Sequence, residues 1–335
     1  MTILVTGATG FLGGVLVRQL IENENILPKD IRFLVRDFED YKDLVDLGVI
    51  PFIGDLGDPE SLKGITEDIT TVYHNAAIVI NESVTTDVMM KINYQGTIAL
   101  VEDFMKSKTT EKFVFASSFG VYGMKFPKYP IKEDYQKNPA NAYQLSKWKC
   151  EEYLQEKFLE NGLDYTAIRN SLIVGPRDNL TSYRVCLGLI DKKIPYLGKG
   201  KNEFSMVDAR DSSQAMIKAT KESISKGKAY NIKSFDINQR DYFNYYSEAC
   251  KIPYPEKKYP YWLAYLFAWF KEKTTPKDQE VLITRTRIDR YCNYRMFNTE
   301  RIAQELKFDP IHTDSKKVIT ESVDWLFENN YLKLT

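Results

Sequence analysis

Tyr143 and Lys147 have the residue types and the spacing for acid–base chemistry. Four residues apart on a helix, their side chains lie on one face, one turn from each other. A phenol has an ordinary pKa of about 10, and a neighbouring ammonium lowers that pKa by favouring the phenolate. The pair can therefore donate and accept a proton. Taken alone, the same spacing is more typical of a solvated helix face.

Two serines, Ser117 and Ser118, follow the segment 112–116, which is predicted to be a strand. A hydroxyl at the end of a buried strand can hydrogen-bond a substrate oxygen and stabilise the charge that develops there, and we assign this role to Ser118. The alternative is a hydroxyl that only completes the strand end or a turn. The order of a glycine-rich turn, the serines and the Tyr–Lys pair along the chain favours the catalytic interpretation over the structural one.

Gly7, Gly10 and Gly13 follow the apolar run 3–5 and precede leucines and valines at helical spacing, 12, 15, 16 and 20. A strand, a glycine turn and a helix N-terminus together form a pyrophosphate site. The glycines then permit a sharp turn, a close approach of the phosphates, and packing of the helix on the strand. An ordinary glycine turn is the alternative, but this position favours nucleotide binding.

Strand and helix patterns alternate along the first half of the chain and would position these residues. Predicted strands are 3–5, 31–35, 49–53, 71–74, 112–116 and 164–169, with helices at 84–105 and 143–159 among those between them. This order predicts a parallel α/β sheet covered on both faces. Ligands of such sheets bind beyond the carboxyl ends of the strands, where most of the polar clusters fall.

The pattern changes near residue 175, where loops lengthen and aromatic residues cluster. We expect a dinucleotide-binding domain at 1–174, completed by about 206–234, and a smaller, mostly helical substrate cap from 175–205 and 235–335. The apolar run 261–270 is too short to cross a bilayer, which needs about 20 residues. We expect it to be a buried core or pocket-wall helix; contact with a membrane surface or a partner is the alternative.

Composition excludes several classes of function. The 335 residues include 43% hydrophobic residues, enough for a sizeable core, and equal numbers of acidic and basic residues, 46 each. A net charge of zero provides no excess of positive charge to bind nucleic acid. Two histidines cannot make a His-rich metal site, so we expect no metal. Four scattered cysteines and a core strand at the start predict a cytoplasmic protein without a signal peptide.

Together these motifs resemble the extended short-chain dehydrogenase/reductase family, the NAD(P)-dependent epimerase/dehydratase group, over about the first 235 residues. The dihydroflavonol reductase-like and 3β-hydroxysteroid dehydrogenase-like branches are the most similar. The matching segments are 6–13, 54–56, 74–77, Asn93, 117–123, 143–147, 169–176 and 207–211. The resemblance implies a Rossmann-type doubly wound parallel sheet. It also implies that Tyr143 transfers the proton, Lys147 holds the nicotinamide ribose, and Ser118 positions the reacting oxygen.

The resemblance also implies a cofactor site. It is formed by Gly7, Thr9, Gly10, Phe11, Leu12, Gly13, Arg36, Asp55, Leu56, Ala76, Ala77, Asn93, Ser117, Tyr143, Lys147 and Asn170. Asn170 departs from the family pattern, which has proline there. Val35 occupies the position of the acidic residue that selects NAD, and the Arg36 guanidinium can bind the 2′-phosphate of NADP. We therefore expect NADP; NAD would fit if Asp37 turned inward.

Three reactions use such a site. An NADP-dependent reductase or dehydrogenase acting on a small molecule with an apolar part is favoured, and the alternative is a nucleotide-sugar 4-epimerase with tightly held NAD. Dehydration is disfavoured because Phe119 and Gly120 stand where the family's dehydratases carry carboxylates. A non-catalytic NADP sensor is a second alternative. The resemblance further implies a homodimer formed through helices 84–105 and 143–159.

Overall fold

The computed structural model describes residues 2–37, 41–79, 84–127, 129–276 and 284–333. The strands are β1 Ile3–Thr6, β2 Ile31–Val35, β3 Ile50–Ile53, β4 Thr71–His74, β5 Lys112–Ser118, β6 Tyr165–Asn170, β7 Leu172–Val174, β8 Tyr196–Leu197, β9 Glu203–Asp208, β10 Lys228–Ile232, β11 Phe235–Asn238 and β12 Lys258–Tyr259. The helices are α1 Phe11–Glu22, α2 Lys42–Asp46, α3 Thr86–Met90, α4 Gly96–Lys106, α5 Ala142–Asn161, α6 Thr181–Ile190, α7 Ala209–Lys221, α8 Gln239–Ala249, α9 Tyr261–Thr274, α10 Arg285–Cys292, α11 Glu300–Glu305 and α12 Ser315–Glu328.

Seven parallel strands form the main sheet in the order β10-β6-β5-β4-β1-β2-β3. Residues of β1 alternate between its two faces: Ile3 and Val5 pack with α1 and α7, whereas Leu4 packs with α4 and α5. The chain runs outward from β1 in one direction and returns to β4 on its other side. This reversal opens a crevice at the carboxyl ends of β1 and β4. The predicted Rossmann-type α/β fold is confirmed.

Two of the differences between predicted and observed element bounds affect the site. The helix expected at 84–105 is interrupted by a π-helical turn, Lys91–Gln95, between α3 and α4. The strand expected to end at residue 116 continues to Ser118, so both serines belong to β5. On a strand, neighbouring side chains point to opposite faces, and the two hydroxyls therefore have different surroundings.

Beyond β6, the chain forms a second apolar core around two small sheets, β11-β9-β7 and β12-β8. Helices α6, α8 and α12 enclose this core, and Tyr242, Phe243 and Tyr246 lie inside it. No helix among the described residues has the length and apolar content that crossing a bilayer requires.

The prediction that 261–270 is a buried helix is wrong. All of α9 is described, and Ala268 is its only buried residue. Trp262, Leu266 and Phe270 are more than half exposed, at 66%, 54% and 55%. An all-round apolar sequence cannot distinguish a helix surrounded by protein from one that packs along a single stripe.

Candidate active site

The glycine turn lies between β1 and the loop that follows β4. Gly7 has a φ of 70°, and a Cβ there would lie 2.7 Å from the Ala76 nitrogen. A Cβ at Gly13 would collide with the Gly7 carbonyl, well inside 3.0 Å. These two glycines are therefore required by the turn and by the packing of α1 against it.

Gly10 is less constrained by the rest of the chain than Gly7 and Gly13 are. A Cβ at Gly10 would meet only the Gly7 carbonyl oxygen, at 3.2 Å, and both Thr9 and Gly10 are exposed. Gly10 is the N-cap residue of α1 and offers no side chain to cap the first N–H groups. An exposed, uncapped helix N-terminus is suited to phosphate oxygens. The residues present fit the pyrophosphate of a dinucleotide.

His74 at the end of β4 is part of the scaffold. The Thr97 hydroxyl donates to the Asn93 carbonyl at 2.5 Å, so the His74 Nε2–H donates to Thr97 (2.8 Å) and Nδ1 accepts from Thr6 (2.7 Å). Burial, together with the charge of Lys147, lowers the pKa of His74 to about 3. The imidazole is therefore neutral at physiological pH and ties β4 to β1 and α4.

Lys147 is buried at the carboxyl end of β5. Its Nζ donates to the Ala116 carbonyl at 2.7 Å and lies 4.6 Å from the centre of the Phe115 ring. Burial lowers the pKa of Lys147 to about 8, despite partial compensation from Cys150 and Glu151. The charged ammonium therefore predominates below a pH of about 8, and the neutral amine predominates above it.

Ser118 and the first turn of α5 meet at Gly120. A Cβ on Gly120 would lie 2.9 Å from Gln144 Cγ and 3.2 Å from Ser118 Oγ. Tyr143 precedes Gln144 in this turn, which Asn141 caps by accepting from the Gln144 N–H. Tyr143 is half-buried, and Lys147 follows it on the same face of α5. The structure therefore brings Ser118, Tyr143 and Lys147 to one end of β5.

Asn93 lies in the π-helical turn and joins the loop after β4 to α5. Its amide pairs with both backbone groups of Ile78, at 2.7 and 2.9 Å, and donates to the Ser146 hydroxyl at 3.2 Å. Ser146 in turn donates to the Tyr143 carbonyl at 2.8 Å. The Asn93 side chain thus connects two parts of the predicted cofactor site, the loop containing Ala76 and Ala77 and the helix containing Tyr143 and Lys147.

Two predicted cofactor residues have side chains that are engaged inside the protein. The Ser117 hydroxyl donates to the Glu151 carboxylate. The Asn170 amide nitrogen donates to the Ser117 and Ile168 carbonyls at 3.4 and 3.3 Å, and its oxygen accepts from Ser212 at 2.5 Å. In this arrangement, the Ser117 side chain connects β5 to α5, and the Asn170 side chain connects β5 and β6 to α7. A cofactor contact from either residue would have to come from its backbone.

The remaining predicted cofactor residues lie at the same edge of the sheet. Arg36 follows β2 and is exposed, whereas Leu56, after β3, is buried against the start of α4. Asp55 is half-buried, and its carboxylate accepts from the Gly57 N–H at 2.7 Å. Adjacent parallel strands end together, so these residues flank the glycine turn on the side away from β4.

Sequence reasoning assigned no role to the buried ion pair behind the site. Arg169 donates to Glu151 through Nε (3.0 and 3.1 Å) and Nη2 (2.6 Å), and through Nη1 to the Tyr122 hydroxyl at 2.7 Å. Although burial disfavours its charge, the Glu151 carboxylate keeps the pKa of Arg169 above its ordinary value. Glu151 lies four residues after Lys147, so the two side chains share one face of α5. That spacing could have indicated from the sequence that Glu151 lies near the site.

A model of the NAD dependent epimerase/dehydratase family matches residues 3–232. The chain belongs to this family. The resemblance inferred from its motifs is confirmed, and the protein is an NAD(P)-dependent enzyme of the extended short-chain dehydrogenase/reductase type.

Three of the similar proteins match nearly the whole chain. A putative dihydroflavonol 4-reductase of Synechocystis sp. is 25% identical over 340 residues, which are 98% of this chain and 95% of the relative. Sterol demethylase protein B of Methylococcus capsulatus is 26% identical over 349 residues, 99% and 100% of the two chains. The solved structure of a UDP-glucose 4-epimerase from Thermotoga maritima superposes with a TM-score of 0.78 at 20% identity, covering 98% and 100%. Because these matches cover nearly all of the chain, the shared fold includes the C-terminal part as well as the nucleotide-binding half.

Proposed function

We propose that this enzyme is an NADPH-dependent reductase that interconverts a carbonyl and a secondary alcohol. The observation that carries the proposal is the meeting of Ser118, the first turn of α5 and the Lys147 ammonium at one end of β5. In the sheet, β4 separates that end from the glycine turn after β1, and the exposed Arg36 follows β2 on the other side of β1. NADPH bound there would supply the hydride.

Each of the three residues has a separate task in this proposal. The Ser118 hydroxyl hydrogen-bonds the substrate oxygen, and the Tyr143 hydroxyl gives that oxygen its proton as the alkoxide forms. The Lys147 ammonium binds the ribose hydroxyls of the cofactor and favours the phenolate left on Tyr143. In the oxidative direction, the same proton returns to Tyr143.

The substrate proposed for this chain is a small molecule with a large apolar part, held between the Rossmann portion and the cap formed by 175–205 and 235–335. Support comes from the relatives whose names refer to dihydroflavonol and sterol substrates.

We also propose a homodimer formed through α3, α4 and α5. A cytoplasmic location is proposed because all four cysteines are free and buried.

Arg36 is expected to select NADPH over NADH. Replacing Arg36 with serine removes a charge-assisted contact to the 2′-phosphate, which is worth about 1.5–3 kcal/mol, or roughly a 10- to 100-fold loss of affinity. Fluorescence titration should show this loss for NADPH and little change for NADH. Arg301→Ser is the control, because Arg301 lies on α11, which packs against β10 at the opposite edge of the main sheet from β2 and β3. Equal losses for both cofactors would contradict the assignment.

The activity is expected to fall as the pH rises through about 8. Below this value Lys147 carries its charge, and above it the buried amine is neutral and binds the ribose less well. The pH profile of kcat/KM for NADPH reports groups of the free enzyme and should show this descending limb. A profile that stays level to pH 10 would be inconsistent with the role given to Lys147.

One experiment tests the proposed function as a whole. The purified enzyme is titrated with NADPH and with NADH, and turnover is then measured on a panel of ketones, aldehydes and nucleotide sugars. NADPH-dependent reduction of an apolar ketone or aldehyde is the expected result. Turnover of a nucleotide sugar by enzyme that purifies with NAD already bound would instead establish the 4-epimerase alternative, which the similarity to an epimerase structure supports. Cofactor binding without turnover of any substrate would favour the sensor.

A further inference from the structure

Helix α9 carries a large apolar face that the described residues of the chain leave uncovered. Within the described part of the chain, its apolar packing is a narrow stripe of Ala264, Tyr265 and Ala268 against β8 and α10. The Tyr261 hydroxyl also donates to Asp289 on α10 at 2.6 Å. The opposite side of the helix is formed by exposed aromatic and aliphatic residues, Trp262, Leu263, Leu266, Trp269 and Phe270. Tyr259 and Phe267 extend the exposed apolar area at its edges. Monomeric soluble proteins rarely expose a contiguous patch of this kind without an interaction partner.

Exposed lysines flank this face at both ends. Segment 256–276 contains four lysines, Lys257 and Lys258 before α9 and Lys271 and Lys273 in its last turn, and all four are exposed. The same segment contains two glutamates, and one of them, Glu272, is bound to the Arg285 guanidinium at 2.6 Å. Lys271 Nζ lies 5.7 Å from the centre of the Phe267 ring, so its stem covers apolar surface while its charge remains in water.

We propose that α9 is a membrane-docking helix that lies flat on an anionic phospholipid surface. Its outer face would enter the boundary between headgroups and acyl chains, and the lysines would contact lipid phosphates. Tryptophan and tyrosine suit this position because each combines an apolar ring with a polar group. The helix does not span the bilayer. The inference is independent of the reaction proposed above, because it uses a surface outside the catalytic residues.

A second copy of the chain is a poorer occupant of this face. In a two-fold dimer the same patch meets itself, so the apolar face of one α9 would cover the other. Lysines lie at both ends of the helix, and either direction of packing would therefore bring lysine close to lysine. An anionic bilayer offers both an apolar interior and the opposite charge.

Vesicle co-sedimentation with the full-length enzyme tests the proposal. The enzyme should pellet with vesicles in which about a third of the phosphatidylcholine is replaced by phosphatidylglycerol, and far less with phosphatidylcholine alone. Replacing Trp262 and Leu266 with serine should weaken binding to the anionic vesicles about a hundredfold. Replacing Lys271 and Lys273 with glutamine should weaken it at least about tenfold. Both pairs are exposed, so the melting temperature and NADPH affinity should stay unchanged.

Ile311→Ser is the matched control, since Ile311 is 79% exposed and lies outside α9. This variant should bind vesicles like the unaltered enzyme. Failure to pellet with either kind of vesicle, or equal binding to both, would overturn the proposal. So would an oligomer, measured by light scattering without lipid, that dissociates when Trp262 and Leu266 are replaced, because α9 would then be covered by a second copy.

Discussion

Tyr143→Phe is expected to lower kcat for carbonyl reduction by between about a hundredfold and ten-thousandfold, the usual contribution of a positioned proton donor. The substitution removes one oxygen and keeps the aromatic ring in the first turn of α5. Cofactor affinity should change little, because the glycine turn, Arg36 and Lys147 remain in place. Steady-state kinetics with NADPH, together with a separate fluorescence titration of the cofactor, measure the two effects independently.

Tyr153→Phe provides the matched control for this variant. Tyr153 lies on the same helix and is also half-buried, but it packs with the core formed by α4, α5 and the sheet. It should retain nearly full activity. A Tyr143→Phe enzyme that keeps more than about a tenth of the original kcat would show that another group donates the proton.

Arg169→Leu is expected to lower the free energy of unfolding by about 3–5 kcal/mol. The Arg169 and Glu151 side chains are 5% and 4% exposed, so removing the guanidinium leaves a buried carboxylate without its cation. The Tyr122 hydroxyl and the Glu133 carbonyl lose a hydrogen-bond donor as well. Urea denaturation followed by circular dichroism gives the change in free energy.

Arg18→Leu tests whether burial is the cause of that loss. Arg18 also pairs with a carboxylate, that of Asp43 at 3.0 Å, but the two side chains are 26% and 54% exposed. Water screens such a pair, and the expected loss is about 1 kcal/mol or less. Similar losses for the two arginine variants would contradict the argument from burial.

The alternation of short apolar runs with helical patterns was enough to predict the fold class. Strands buried on both faces show continuous apolar sequence, and the helices between them force the parallel connection. The break in the helix predicted at 84–105 could not be read from periodicity, because a single π-helical turn shifts the pattern by only one residue. It is visible in the structure as the turn that places the Asn93 amide against Ile78 and Ser146.

The exposure of α9 and the orientation of Ser117 could not be predicted from the sequence, for a different reason. An apolar sequence such as that of 261–270 has the same appearance whether or not other elements cover it. Ser117 and Ser118 are adjacent and chemically identical, yet one donates to buried Glu151 and the other accepts from the Gly120 N–H. Which serine points toward the crevice depends on the strand continuing through both residues.

Short-range spacing determined the local chemistry of this protein: the glycine turn before α1, the Tyr143–Lys147 pair on one helix face, and the arginine after β2. These features depend on backbone geometry over a few residues, and the sequence specifies that geometry directly. Only the tertiary structure decided which groups are desolvated and which meet from distant segments. It buries Lys147 and thereby lowers its pKa, joins Arg169 to Glu151, and leaves α9 exposed. Burial and long-range contact result from how whole elements pack, and spacing along the chain does not encode them.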